Sequence, residues 1–323
     1  MIADAWNSLP ALLRDPVALA VPAFLILLAL EWSAAIVLER QESAEEHDRP
    51  SRGSYLRADA RASISIGLVS IVTTTTWKTI ALLGYSVIYA YLAPWHLPSD
   101  QWYTWAILLV GVDVLFYWYH RIAHRTRIVW ATHQAHHSSE YFNLSTALRQ
   151  KWNNSGEILM WLPLPLLGVP PWMVFTGFAI NLVYQFWVHT ERIGRLPRWF
   201  EFVFNTPSHH RVHHGNDSAY LDKNYAGMLI VWDRLFGTFT PETSRPHYGL
   251  TTPVDTFDIL KLQTHEYAAI GRDVRSAGSL RHKMGYIFGP PGWTPHARNH
   301  SSDSGSVRLT VDPTLASVSF RSG

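Results

Sequence analysis

The chain contains no cysteine. That excludes disulfides, thiolate-bound haem, cysteine-ligated iron–sulfur clusters and a cysteine nucleophile, although a thiol-free chain tolerates either redox compartment. Charge is scarce as well. Only 16% of the 323 residues are charged and the net charge is +2. The basic residues form no stripe interleaved with aromatics, which argues against nucleic acid as a partner.

What the chain has instead is apolar sequence in long runs. The run 17–38 is long enough to cross a bilayer core of about 30 Å. It lacks a small-residue cleavage site and reads as an anchor rather than a removed signal. Residues 1–16 ahead of it, with Trp6 and Arg14, read as an interfacial lead-in. Glu31 lies near the far end of the run and is expected to snorkel to the interface. A second run, 62–93, is interrupted by TTTTWK around Lys78. The short loop after it has no Lys or Arg, whereas 40–61 and 120–157 have several, so the positive-inside rule favours one crossing with both basic loops cytoplasmic.

The third run, 101–119, leads directly into His120. A fourth, 158–188, is broken by GVPP at 168–171; two prolines after a glycine end a helix, so this region reads as a hairpin returning to its starting side. The chain then becomes soluble in character. A helical region is expected over 255–284, and 292–323, rich in Ser, Gly and Pro, reads as a tail. The expected organisation is an interfacial segment 1–16, a membrane domain 17–265 with its core at 100–240, a C-terminal helical region 266–291 and the tail. The expected fold is an all-α integral membrane protein. It has about four to five membrane helices, including the hairpin, and a cytoplasmic histidine-rich helical cap holding a dimetal centre.

Seventeen residues are histidine, and eight of them fall in three groups: HRIAH (His120, His124), HQAHH (His133, His136, His137) and HRVHH (His210, His213, His214). An HxxHH pattern is expected by chance roughly 0.05 times at this composition, yet it occurs twice. Positions i, i+3 and i+4 share one helix face, so each group aims its imidazoles at one point. Buried together without a polar partner, eight imidazoles would be costly; a metal is that partner. His189 joins them because the hairpin returns it to the same side. Eight or nine imidazoles exceed one tetrahedral site, so two metals are the simplest accounting. Ligand type alone leaves Zn, Cu, Fe and Ni open. The ligands lie beyond the span ends rather than at a bilayer midplane, which disfavours a metal transporter. His209 is ranked beside the substrate or behind the ligands.

These motifs, in this order among membrane helices, resemble the fatty acid hydroxylase/sterol desaturase superfamily of membrane di-iron enzymes over roughly residues 60–265. FNLSTALRQ, NTPSHHRVHH and DKNYAGMLIVWDRLFGTF are similar to the alkylglycerol monooxygenases; ATHQAHHSSEYFN, ALRQKWNNSGEILMW and FGPPGW resemble mycobacterial proteins called C-5 sterol desaturases. The resemblance implies two iron ions held by His120, His124, His133, His136, His137, His210, His213 and His214, with His189 matching a further family histidine. Gln185 stands where some relatives have another histidine. Asp113, inside the third run, and Asp222 and Asn224 are candidates for orienting imidazole N–H groups. The implied chemistry is reductive activation of O2 and removal of hydrogen from an unactivated C–H bond of a lipid. Rebound of the hydroxyl gives an alcohol; loss of a second hydrogen gives an alkene. A sterol C-5 desaturase is the leading expectation, with alkylglycerol monooxygenase or fatty acyl hydroxylase as the alternative. The chain has no glycine-rich nucleotide motif and no haem-attachment motif, so electrons come from a separate donor: a ferredoxin, a cytochrome b5-like protein or a reduced pterin.

Overall fold

In the computed structural model, residues 15–42 and 51–295 are described; most of the lead-in 1–16 and most of the tail 292–323 lie outside them. The described residues form helices and no strands. Three helices are long and apolar enough to cross a membrane: α1 (Pro16–Glu42), α2 (Arg57–Tyr91) and α3 (Trp102–Arg125).

The second run lies in a single helix, α2, in keeping with the one crossing expected of it, and TTTTWK does not break it. The helix has 35 residues and is about 52 Å long at 1.5 Å per residue. The threonine run survives because its hydroxyls bond back to carbonyls within the helix: Thr75 to Ile71 at 2.7 Å and Thr76 to Val72 at 3.0 Å. These hydroxyls are thereby kept from the apolar surroundings. Lys78 pairs with Asp15 at the start of α1, at 3.3 Å, and not with Asp113.

The hairpin is present but uneven. Prolines 163 and 165 divide its first limb into α5 (Ser155–Met160) and α6 (Pro163–Leu166); Gly168 turns the chain at φ +82°, and α7 (Pro171–Phe186) returns. Gly177 lets α7 approach α3 closely, since a Cβ there would meet Leu108 at 2.9 Å. The main apolar core lies between these helices and α2: Tyr85, Leu108, Val112, Trp161, Leu164, Met173 and Val174 are all buried. Phe24 of α1 stacks on Phe186 of α7 at 3.9 Å between centroids.

At Thr126 the backbone is extended and α3 ends; α4 (Arg127–His137) starts again in a new direction. Short helices α8 (Arg198–Val203), α9 (Pro207–His214) and α10 (Val231–Leu235) follow, and α11 (Ile259–Ser276) and α12 (Leu280–Phe288) close the cap. The side chains of Asp258 and Ser279 cap α11 and α12, so the single helical region expected at 255–284 is two. The boundary expected at 265/266 falls inside α11. Arg127 ties α11 to α4 through Glu266 (2.7 Å) and Asp273 (2.6 Å).

Glu31 does not snorkel. It is buried and accepts hydrogen bonds from Tyr55, Thr190 and the Leu144 amide, so α1 is clasped to the cap beside His189. A second buried carboxylate, Asp59 of α2, pairs with Arg149 at 2.6 Å; the two side chains are 3% and 1% exposed. Removing one partner strands the other charge in the interior. Arg149→Ala is therefore expected to cost about 3–5 kcal/mol, read as a lowered Tm of the detergent-solubilised protein. The double change Asp59→Leu with Arg149→Met should recover most of it, and an unchanged Tm for the single variant would contradict this role.

Candidate metal centre

Each histidine group owes its position to a local reason. HRIAH occupies the last turns of α3, HQAHH the last turns of α4, and HRVHH the last five residues of α9, which Pro207 starts at its first helical position. The break at Thr126 folds α4 back on α3. The hairpin delivers His189 just beyond α7. All nine imidazoles are buried.

They sort into two sets. His120, His124, His133, His137 and His213 converge in one, and His136, His189, His210 and His214 in the other, with the ligand-capable atoms of each set within 4.8 Å of one another. The sets abut: the rings of His137 and His214 stack at 4.3 Å.

The tautomers of four rings follow from their partners. His120 Nδ1 meets the Tyr225 carbonyl at 2.8 Å, His136 Nδ1 that of Arg149 at 3.2 Å, His189 Nδ1 that of Gln185 at 2.7 Å, and His213 Nδ1 that of Lys223 at 3.0 Å. A carbonyl only accepts, so each Nδ1 carries the hydrogen and each Nε2 presents a lone pair. Two such lone pairs, on His136 and His189, face each other at 3.2 Å. Nε2 of His124, His213 and His214 and Nδ1 of His210 are buried with no hydrogen-bond partner, each at a cost of about 1–3 kcal/mol if nothing satisfies it. Converging lone pairs without donors are what a cation resolves. This donor set fits a pair of metal ions.

The other candidates take different places. Asp113 touches no imidazole; it accepts from Asn181 (2.9 Å), the amides of Met228 (2.8 Å) and Leu229 (3.1 Å) and the Trp232 indole (2.8 Å). Gln185 donates its side-chain amide to Asn181, while its backbone carbonyl serves His189. Asp222 pairs with Arg125 at 2.6 Å, and Asn224 holds the carbonyls of His209 and Thr240. Both act through the turn: they sit at φ 60° and 54°, a region Asp and Asn tolerate. The residues between and after them, Lys223 and Tyr225, supply the carbonyls that hold His213 and His120. His209 lies outside both sets, its ring against Phe239.

Sequence reasoning missed the residues that give those carbonyls, and Asp233. Asp233 accepts from the Tyr225 and Ala226 amides at 2.8 Å each and fixes the same loop. A backbone role leaves no mark on residue type. Asn181, a buried amide in an apolar helix, was a visible signal. Gly227 admits the loop against α7 and α3, where a Cβ would meet Asn181 at 2.8 Å and Phe116 at 2.9 Å. A cavity of about 210 Å³ opens onto His124, His137, His213 and His214, walled by Trp130, Leu221, Asp222, Leu250, Pro290 and others.

The fatty acid hydroxylase family matches residues 105–238. Alkylglycerol monooxygenase of Homo sapiens is 41% identical over 282 residues, 87% of this chain and 60% of that protein. That of Danio rerio is 43% identical over 238 residues, 73% of this chain and 53% of that protein. The Delta(7)-sterol 5(6)-desaturase of Candida glabrata is 26% identical over 236 residues, 68% of this chain and 60% of that protein. The chain thus spans between half and two thirds of the length of these three relatives. No solved structure matches.

Burial pushes the pKa of His189 and His213 down from 6.5 to about 4, and with neighbouring imidazoles pushes His133, His136, His137, His210 and His214 well below the ordinary value. Below pH 6.5 the unfolded chain takes up protons that the folded chain refuses. Stability of the metal-free protein is therefore full above pH 6.5 and falls as pH drops toward 4, by up to about 1.4 kcal/mol per pH unit for each imidazole. A Tm series with and without chelator checks this. A metal-free Tm that stays flat between neutral pH and the low end of that window contradicts it.

Proposed function

The chain belongs to the fatty acid hydroxylase/sterol desaturase superfamily, and from that premise we propose that it is a membrane di-iron monooxygenase acting on an ether lipid of the alkylglycerol class. The observation that carries the di-iron reading is the pair of imidazole sets with inward lone pairs. The substrate class is supported by greater likeness to alkylglycerol monooxygenases than to the sterol desaturase, at 41–43% against 26% identity. This reverses the leading expectation of sterol C-5 desaturation.

His120, His124, His133, His137 and His213 would hold one iron, and His136, His189, His210 and His214 the other. Bound there, the irons would supply reduction of O2 to an oxidant able to take hydrogen from a C–H bond of the lipid. The chain's own part is positioning. Four backbone carbonyls fix the imidazole tautomers, and the two carboxylates Asp113 and Asp233 brace the loop that provides two of them. Phe142, buried and 5.0 Å from the His214 ring, seals the four-histidine side from water. One oxygen inserted at the carbon beside an ether oxygen gives a hemiacetal, which separates into an aldehyde and glycerol. O2 is the co-substrate, and electrons arrive from a separate donor, a ferredoxin, a cytochrome b5-like protein or a reduced pterin. The basic loops support a histidine cap that faces the cytoplasm.

Supplied with reductant, O2 and an alkylglycerol or a sterol, the protein should convert the alkylglycerol to an aldehyde by way of a product heavier by one oxygen atom. A sterol lighter by two hydrogens, with the ether lipid untouched, would return the reading to desaturation. Metal analysis after anaerobic loading should find two irons per chain. His136→Ala and His213→Ala, one from each set, should each abolish turnover, and activity surviving both would sink the di-iron assignment. Because the chain has no cysteine, Arg195→Cys gives a single thiol on the exposed cap. In intact cells a membrane-impermeant maleimide should leave it unlabelled.

A further inference from the structure

The five-histidine set has an oxidisable ring against it that leads somewhere. Tyr225 lies 5.4 Å from His124 and 6.0 Å from both His120 and His213, centroid to centroid. Tyr117 follows at 6.2 Å and Trp118 at 5.5 Å from Tyr117. Tyr225 and Tyr117 are fully buried, whereas Trp118 is 38% exposed near the cap end of α3. The line runs from the deepest part of the site to the surface without a gap. The other rings beside the histidines do not do this: Trp130 has ring contacts with histidines alone, and Phe142 is not oxidisable.

Both phenols have somewhere to put a proton. Burial and then the Asp222 carboxylate, which lies three residues before Tyr225 and pairs with Arg125 at 2.6 Å, push the Tyr225 phenol up. The Tyr117 hydroxyl is 3.0 Å from Thr238 Oγ1, and Thr238 donates to Asp233 at 2.6 Å. Thr238 therefore accepts from Tyr117, making a two-step path to a buried carboxylate. Arg121 accepts no proton; it donates to the Tyr117 oxygen at 3.0 Å and its guanidinium lies 5.5 Å over the Trp118 ring. A tyrosine gives up an electron readily only when its proton leaves at the same time, and proton transfer needs an acceptor within hydrogen-bond reach or through one bridging group. Core packing alone does not call for a carboxylate behind each phenol.

We propose that Tyr225, Tyr117 and Trp118 form a one-electron relay that drains oxidising equivalents from the histidine centre to the protein surface, with Asp222 and Asp233 receiving the phenolic protons. For the oxidant, it rests on the monooxygenase reading above. When no lipid consumes the oxidant, Tyr225 gives up one electron and its proton passes to Asp222, leaving a neutral tyrosyl radical and a carboxylic acid. Tyr117 then gives one electron to Tyr225, which recovers its proton from Asp222, while the Tyr117 proton moves through Thr238 to Asp233. Trp118 gives the next electron, and Tyr117 takes its proton back. A soluble one-electron reductant such as a thiol or ascorbate restores Trp118. The guanidinium over Trp118 disfavours positive charge there, so the radical dwells on the tyrosines. The relay spares the histidines from being oxidised themselves.

The path can be tested without metal. In the full-length, metal-free protein, Ile122→Cys, one turn from Trp118 and 37% exposed, carries the only thiol and accepts a ruthenium polypyridyl photo-oxidant. Flash oxidation should produce a tyrosyl radical by transient absorption and electron paramagnetic resonance. That signal should be lost in Tyr117→Phe, and in Tyr225→Phe should be confined to Tyr117. Asp222→Asn should shorten the life of the Tyr225 radical. A wild-type chain that yields only a tryptophan radical overturns the relay, whatever its activity. In the iron-loaded protein given O2 without lipid, a tyrosyl signal that ring-deuterated tyrosine narrows is expected, and it should persist longer in Trp118→Phe. Lipid oxidation with no such signal would overturn the relay and leave the monooxygenase reading standing. The signal in the flash experiment without lipid oxidation would overturn that reading and leave the path.

Discussion

The structure depends on nine neutral imidazoles held in a buried cluster with their lone pairs turned toward one another. Neighbouring lone pairs repel, and several of these nitrogens have no donor at all. The arrangement is poor as a protein core and well made as a cation site. Everything around it serves to keep the rings from turning away. Four backbone carbonyls pin Nδ1 hydrogens, so the inward direction of Nε2 is set by main-chain positions that no side-chain rotation relieves.

Those carbonyls come from parts of the chain far apart in sequence, which is why the cap is built as it is. Arg149 offers its carbonyl to His136 while its side chain is locked onto Asp59 and Ser63 of α2. Gln185 offers one from the last turn of α7. Lys223 and Tyr225 offer theirs from a turn with two left-handed residues, tied down by Asp233 and, farther along, by Asp113. The membrane helices therefore do more than anchor. The first turns of α2, the return limb of the hairpin and the end of α3 each place one wall of the site, and α1 holds the 141–148 and 189–191 segments together through Glu31.

Much of this was legible in the sequence because it followed from side-chain type and spacing. HxxHH and HxxxH on helices announce shared faces, and GVPP announces a return, so the nine histidines and their convergence could be read before any coordinates. What could not be read was the role of charge within apolar surroundings. Asp113 looked like an imidazole partner because it shares a stripe with His120 and His124. It instead gathers two amides, an indole and Asn181, since its side chain points along α3 toward the loop rather than up to the rings. Glu31 looked like an interfacial residue because it stands near a helix end. Its partners, Tyr55, Leu144 and Thr190, come from segments whose approach no local pattern reveals. The motifs shared across the superfamily could not separate the proposed ether lipid from a sterol, because they concern the histidines and substrate choice lies in how a lipid is held beside them.

The placement of the acids accounts for the absence of a carboxylate from both imidazole sets. Two divalent ions among neutral imidazoles would bring four positive charges into a low-dielectric interior with nothing bound to offset them. Asp113 and Asp233, each almost wholly buried, already spend their oxygens on amide, indole and hydroxyl donors. Burial, partly offset by the hydrogen bonds from Thr238 and the Tyr225 and Ala226 amides, lifts the Asp233 carboxyl to about 6, a value that nearby positive charge would lower again, keeping it ionised at neutral pH. These carboxylates can therefore balance the charge at a distance and brace the ligand-bearing loop with the same oxygens. A carboxylate bound directly would neutralise a metal but would give up its grip on the loop, and with it the two carbonyls that hold His120 and His213 in place.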